Sequence, residues 1–194
     1  MKARLFDLLL VVLISGTTLS QTQTQTDEQQ AKSPTTKIGS FLAKKGRVVV
    51  KDFYTVGTVY GRYGTSVEIS GLVIYEPGQE AQRIRGLKIQ VKGGGRIESE
   101  NSSFLDFDEA ESFAKAISYL TSTLTTWKTV DKEYTEITFS TKDNFSLGFY
   151  QKGREQTCFS ESGNVGKSTC FFEDVDLATL QQMADKAVAI LKQK

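Results

Sequence analysis

The chain has 194 residues, and its 24 lysine and arginine residues nearly balance its 23 acidic residues. It contains no histidine, which excludes Ser-His-Asp and Cys-His catalysis and removes the commonest general base at neutral pH. The composition therefore favours a binding or structural protein with no catalytic activity, no metal ion and no cofactor. It leaves hydrolysis by a pair of carboxylates open.

Residues 1–20, "MKARLFDLLLVVLISGTTLS", have the features of a secretory signal peptide. Lys2 and Arg4 form a basic start, an apolar run follows, and Thr18 and Ser20 are small enough for a cleavage site after Ser20. The apolar run is much shorter than the roughly 20 residues that a membrane-spanning helix needs. We therefore expect a secreted or periplasmic protein with no transmembrane segment in the mature chain.

The next stretch, residues 21–36, reads "QTQTQTDEQQAKSPTT" and has no large apolar side chain. Such a segment has nothing to bury, so it is expected to be a disordered polar linker. The folded part is then a single α+β domain over residues 37–194, a length typical of one domain.

The first half of this domain, about residues 46–127, contains four runs typical of strands, followed by one amphipathic helix. The runs are "RVVVKDFYTVGTVY", "SVEISGLVIYE", "RIRGLKIQVK" and "RIESE". In the third run Ile84 breaks the alternation of buried and exposed positions, which predicts a bulge at Gly86. The apolar stripe of the helix recurs at steps of three and four residues. It consists of Ala110, Phe113, Ile117, Leu120 and Leu124.

The second half, residues 128–194, repeats this order with "EYTEITFS", "NFSLGFYQK", "QTCFS" and "STCFF" before a second helix. Asp106 and Glu109 form a capping-box pattern before the first helix, and "EDVD" places acids at the start of the second. Adding 67 to each number of the first stripe gives the second stripe. It consists of Leu177, Leu180, Ala184, Ala187 and Leu191.

The predicted fold is therefore α+β, with antiparallel sheets, two helices and a pseudo-duplicated unit of four strands and a helix. The alternatives are a single antiparallel sheet covered by two unrelated helices, or a barrel that resembles the pleckstrin-homology fold. In element order, residues 46–192 resemble the Whirly fold and the paired repeats of the PUR proteins. That resemblance implies binding of single-stranded nucleic acid across a sheet.

The two cysteines of the chain, Cys158 and Cys170, flank the polar segment "FSESGNVGKST". Its glycines and polar residues indicate a hairpin loop between two short strands. A hairpin that is symmetric about Asn164 places the cysteines directly opposite each other, and an exported chain meets an oxidising compartment. The sequence therefore predicts a Cys158–Cys170 disulfide.

The charge is unevenly distributed, because residues 37–96 carry eleven basic and four acidic side chains while the rest of the domain is acidic. Either these charges compensate each other inside the fold, or the basic strands form a surface that attracts anions. The candidate anion-binding residues are Lys51, Arg62, Arg83, Arg85, Lys88, Lys92 and Arg96.

The function predicted from these features is that of an exported, non-catalytic binding or structural domain. Its basic sheet face would bind an anionic glycan, a lipid headgroup or an acidic protein through charge. The alternative is binding of single-stranded nucleic acid on a Whirly-like sheet, with tyrosines stacking on bases. The sequence does not fix the oligomeric state.

Overall fold

The computed structural model describes residues 35–94 and 98–194. The predicted signal peptide, and the linker as far as residue 34, lie outside the described residues. Two single-turn 3-10 segments occur at Arg62–Gly64 and Glu80–Gln82. The helices and strands are, in chain order, α1 (Lys37–Ala43), β1 (Val50–Tyr60), β2 (Ser66–Tyr75), β3 (Ile84–Gly93), β4 (Ser99–Asp106), α2 (Phe107–Trp127), β5 (Lys132–Ser140), β6 (Phe145–Gly153), β7 (Glu155–Ser162), β8 (Ser168–Phe172) and α3 (Asp174–Lys192).

The strands form two antiparallel four-stranded sheets, with the orders β1-β2-β3-β4 and β5-β6-β7-β8. The α+β class is thus confirmed, and each half has four strands followed by a helix. The single-sheet alternative is wrong because no ladder joins the two sheets within the described residues. The sheets form an open barrel, so the closed barrel of the pleckstrin-homology alternative is not formed either.

Both long helices lie on the inner side of the sheets and share one core. Every residue of the two predicted stripes is buried, as their helical spacing requires. The halves interlock, because α3 packs against β1 and β2 of the first sheet while α2 reaches β5 and β6 of the second. Phe113 of α2 lies 5.6 Å from Phe145 of β6 and 6.0 Å from Phe139 of β5, measured between ring centroids.

A smaller apolar cluster lies on the opposite, outer face of the first sheet, beneath α1. Ile38 of α1 is buried there against Leu72 and Ile74 of β2, and Ile84 packs at its margin. The predicted bulge at Gly86 is wrong, since β2 and β3 pair without interruption between Ile74↔Ile84 and Ser66↔Lys92. Ile84 breaks the inward alternation because it serves this second cluster.

The acids at the helix starts have different roles in the two halves. The acids of "EDVD" lie at the start of α3 as predicted, and Glu173 forms a capping box with Asp176 there. Asp106 precedes α2, but its carboxylate makes no cap there and instead accepts the backbone N–H groups of Lys37 (2.8 Å) and Ile38 (3.1 Å). The predicted Asp106 cap of α2 is therefore wrong, because this buried carboxylate holds the N-terminus of α1 against the first sheet.

No helix in the described part of the chain has the length and apolar character needed to cross a lipid bilayer.

Candidate functional site

The predicted Cys158–Cys170 disulfide is not formed, and both cysteines are buried free thiols. The hairpin is centred one residue later than predicted, so Cys158 pairs with Phe172 and Cys170 pairs with Ser160. The two cysteines are thus diagonal neighbours. Diagonal positions on paired strands lie about 7–8 Å apart, beyond the Cα separation that a disulfide normally spans.

Both thiols lie in surroundings that keep them protonated. Burial, and secondarily the negative charges of Asp174, Asp176 and Glu173, raise the pKa of Cys158 to about 12. Burial also raises the pKa of Cys170, whose sulfur accepts the Thr65 hydroxyl at 3.2 Å. Neither thiol is therefore suited to act as a nucleophile at neutral pH.

Four of the seven candidate anion-binding residues are engaged with carboxylates or backbone carbonyls of the chain itself, and Lys88 Nζ donates to the side-chain oxygen of Gln90. Arg62 donates to the Glu173 carboxylate through Nε (2.9 Å) and Nη2 (2.7 Å). Arg83 donates to the carbonyl of Lys194 and Arg85 to that of Leu191, so both serve the C-terminal end of α3. Lys92 is paired with Glu98 at 3.0 Å.

The other candidates are Lys51, Lys88 and Arg96. Arg96 lies outside the described residues. Lys51 and Lys88 share the outer face of the first sheet, where Lys88 Nζ lies 6.0 Å from the centroid of Phe53, which is 52% exposed. Neither lysine has an ion-pair partner among residues 35–94 and 98–194. The structure therefore divides the predicted basic surface and leaves a small basic patch, Lys51, Lys88 and Phe53.

The outer face of the second sheet carries one aromatic side chain on each of its four strands. In sheet order these are Tyr134, Tyr150, Phe159 and Phe171, and we call this set the aromatic row. The rings of Tyr134 and Tyr150 are stacked with centroids 6.1 Å apart, and those of Tyr150 and Phe159 lie 6.3 Å apart. Phe171 lies directly opposite Phe159. The aromatic row thus crosses the whole sheet.

The aromatic row is open at its β5 end and closely packed in the middle of the sheet. Tyr134 is 59% exposed on the edge strand, whereas Phe159 is only 7% exposed in the middle of the sheet. No helix among the described residues covers this face, so the burial of Phe159 comes from its neighbouring side chains. A ligand approaching the sheet would meet rings that are already fixed in position, which lowers the entropic cost of binding.

Two carboxylates flank the aromatic row, and both accept hydroxyl groups. Glu136 accepts the Thr138 hydroxyl at 2.9 Å and the Tyr134 hydroxyl at 3.2 Å. Glu161 accepts the Thr169 hydroxyl at 3.3 Å and pairs with Lys167 at 2.9 Å. Together with the rings, these carboxylates line a shallow depression of about 350 Å³.

The phenol of Tyr134 is held in its neutral, donating form. Partial burial, the hydrogen bond to Glu136 and the charge of that carboxylate all raise the pKa of Tyr134. The phenol therefore stays protonated at neutral pH and remains a hydrogen-bond donor at the open end of the aromatic row.

Further depressions lie along the seam between α2 and α3, where two of the lining hydroxyls are already used. Thr121 and Thr125 line the seam and donate their hydroxyls to the backbone carbonyls of Ile117 and Thr121, respectively. Such hydroxyls offer little to a ligand, so the seam is the weaker candidate site.

The sequence analysis did not identify the aromatic row. Tyr150 and Phe171 appear in the sequence as outward positions of single strands, and nothing in the sequence shows that they are neighbours. Their adjacency depends on the registers of three ladders. The available signal was one large aromatic residue on the polar face of each strand in the second half. No protein family, curated protein or solved structure matches this chain.

Proposed function

We propose that this protein is a non-catalytic binding domain that holds its ligand along the aromatic row. The observation that carries the proposal is the alignment of one ring per strand, with neighbouring centroids 6.1 and 6.3 Å apart on an uncovered sheet face. A row of neighbouring rings offers a continuous apolar surface to a ligand that has apolar faces of its own.

The flanking groups favour a neutral, hydroxyl-rich ligand, and we propose a saccharide chain. The negative face of an aromatic ring attracts the polarised C–H groups of a sugar ring. Glu136 and Glu161 already accept hydroxyls within the protein, so their oxygens suit sugar hydroxyls equally well. A nucleic-acid backbone would instead bring phosphates beside two carboxylates. The signal peptide predicted for residues 1–20 supports a ligand outside the cytoplasm.

A second candidate function is the binding of an anionic glycan, lipid headgroup or acidic protein on the basic patch. The supporting observation is that Lys51 and Lys88 lie on one exposed face beside Phe53, without acidic partners in the described part of the chain. This is a smaller surface than the sequence predicts, and its binding should weaken as salt rises.

The shared order of elements supports the further proposal that the halves arose by duplication. Helix positions 67 residues apart are buried in both halves, for example Phe113 and Leu180. After such a duplication the outer faces of the two sheets have diverged, and the proposed binding face, the aromatic row, lies on the second half.

The proposal is tested by calorimetry with soluble neutral polysaccharides, comparing the original protein with Tyr134→Ala and Tyr150→Ala. We expect each variant to bind about tenfold more weakly, a loss in the range measured for single aromatic stacking contacts. Tyr60→Ala is the matched control, because Tyr60 is 79% exposed on the outer face of the first sheet. Unchanged binding by both variants would refute the proposed site.

The same titration with heparin and single-stranded DNA over a salt series separates the alternatives. Binding of heparin that is lost in Lys88→Glu, with Lys128→Glu on the C-terminal cap of α2 as control, would favour the basic patch. Preference for single-stranded DNA with a steep salt dependence would contradict the saccharide proposal and favour nucleic-acid binding.

A further inference from the structure

The outer edge of β5 exposes backbone hydrogen-bonding groups and part of two apolar side chains. Within residues 35–94 and 98–194, β5 pairs with β6 alone, so the other edge of the strand has no partner strand. Ile137 and Phe139 point to the core but remain partly exposed, whereas their neighbours Leu147 and Phe149 on β6 are fully buried. The core is therefore incomplete along this edge.

The other sheet edges are better protected. The edge strand β8 of the second sheet packs against β3 of the first, and β4 packs against β7 and β8. The edge strand β1 has a bulge at Val56, where its register with β2 shifts between Thr55 and Gly57. Bulges disturb the flat hydrogen-bonding edge that a further strand needs. The register of β5 with β6 shifts only near the start of the strand, between Lys132 and Thr135, and is regular from Thr135 to Ser140.

We infer that β5 pairs with β5 of a second copy of the chain, antiparallel and about a two-fold axis at Ile137. In this register Ile137 faces its own counterpart, Thr135 faces Phe139, and Glu136 faces Thr138. Shifting the axis by one residue would oppose Glu136 to Glu136, which is unfavourable because like charges repel across strands. The charge pattern thus disfavours the register centred on Glu136, whereas the register centred on Ile137 is self-complementary, as a two-fold interface requires.

The dimer completes the edge of the core and enlarges the uncovered face. The partly exposed side chains of Ile137 and Phe139 become covered by the second copy. The two four-stranded sheets join into one continuous sheet, and both aromatic rows lie on its uncovered face. The inference does not depend on what the aromatic row binds.

The register is tested by cysteine cross-linking of the full-length protein. Ile137→Cys should form a disulfide-linked dimer under mild oxidation, because directly opposed residues are close enough for a disulfide. Glu136→Cys is the matched control on the same strand, since its counterpart lies on the diagonal at about 7–8 Å. Cys158 and Cys170 are buried and give little background. Equal cross-linking of both variants, or none for Ile137→Cys, would overturn the register.

The association is measured by sedimentation equilibrium on variants at Thr138, which is exposed. In Thr138→Glu each new carboxylate faces Glu136 of the other copy, so the dimer Kd should rise about tenfold. In Thr138→Lys the opposed charges attract, so the Kd should fall by a similar factor. Ala178→Glu and Ala178→Lys make the same charge changes at an exposed position of α3. A monomeric protein at every concentration, or equal Kd values for the two Thr138 variants, would overturn the inference.

Discussion

The first half (residues 46–127) and the second half (residues 128–194) have the same order of strands and helix but different outer faces. The first sheet carries α1 on its outer face, over Leu72 and Ile74. The second sheet carries no helix there among the described residues and presents the aromatic row instead. The comparison indicates that the plan of four strands and a helix provides the core, while the added helix decides which outer face remains uncovered.

The same difference appears in the acids that precede α2 and α3. Glu173 caps its own helix, whereas Asp106 serves α1, far away in the chain. The acid that precedes the long helix therefore caps that helix in the second half, but holds α1 in the first half. Substitutions in each half test how separate the two halves are.

Phe113→Ala tests whether the halves unfold together. This helix residue of the first half packs on Phe139 and Phe145 of the second, so its truncation should cost about 3 to 5 kcal/mol through the cavity it leaves. Urea unfolding followed by circular dichroism and by Trp127 fluorescence should give one coincident transition. Phe113→Leu keeps most of the volume and should lose far less. Separate transitions for the two probes would show independent halves.

Alkylation of the thiols tests whether the core of the second half is closed to reagents, because both cysteines of the chain lie there. A pKa of about 12, raised from 9.0, lowers the thiolate fraction of Cys158 about a thousandfold at pH 8. Native protein should therefore resist iodoacetamide, and both thiols should react at once in urea without a reductant. Mass spectrometry counts the added groups. A count that rises only after reduction would reveal a disulfide.

Asp106→Ala compares the two acids directly. It leaves two backbone N–H groups at the start of α1 without their charged acceptor, so we expect a loss of about 2 to 3 kcal/mol. Glu173→Ala removes an exposed cap and should cost about 1 kcal/mol. Urea unfolding measures both, and hydrogen exchange over Lys37–Ala43 should rise in Asp106→Ala alone. Equal losses would mean that the attachment of α1 contributes little.

The smallest effect is expected at Asp143, whose carboxylate accepts the Phe104 N–H and so joins the two halves. Burial raises the pKa of Asp143, the Phe104 N–H lowers it, and the charge of Asp106 raises it further. Because the folded-state pKa lies above the unfolded value of about 3.9, the free energy of unfolding falls as pH rises between these two values. Asp143→Asn stays neutral, so it should be slightly more stable than the original protein at pH 7.

That advantage should disappear as the pH falls below the unfolded pKa, where the original carboxyl is protonated in both states. Urea midpoints at pH 7 and at acid pH measure the change, with the exposed Asp131→Asn as the matched control. A constant difference between Asp143→Asn and the original protein at all pH values would contradict the assignment.

The sequence was sufficient to predict the order of four strands and a long helix in each half, and the buried helix stripes, because helical and strand periodicities are local properties. It was not sufficient for the hairpin register at the cysteines. Gly163 and Gly166 both adopt positive φ angles, 106° and 63°, and together they centre the loop on Val165 rather than Asn164. Either centre agrees with the composition of the loop, so the disulfide prediction depended on a choice that the sequence does not make.

The α1 helix and the aromatic row were missed for a related reason. The helix Lys37–Ala43 has only seven residues and no periodic stripe of its own, and an isolated helix of this length is unstable in water. Its main polar contact, Asp106, is 69 residues away from Lys37. The candidate site likewise depends on which outward residues become neighbours across strands, and only the assembled sheet determines that.

The long-range attachment of α1 has a consequence for the order of events during protein synthesis. The carboxylate that receives the N-terminus of α1 belongs to a residue made 69 positions after Lys37. At a ribosomal elongation rate of about 5 to 20 residues per second, Asp106 is synthesised several seconds or more after Lys37. Helix α1 therefore gains this polar anchor late, after β2, β3 and β4 have been synthesised.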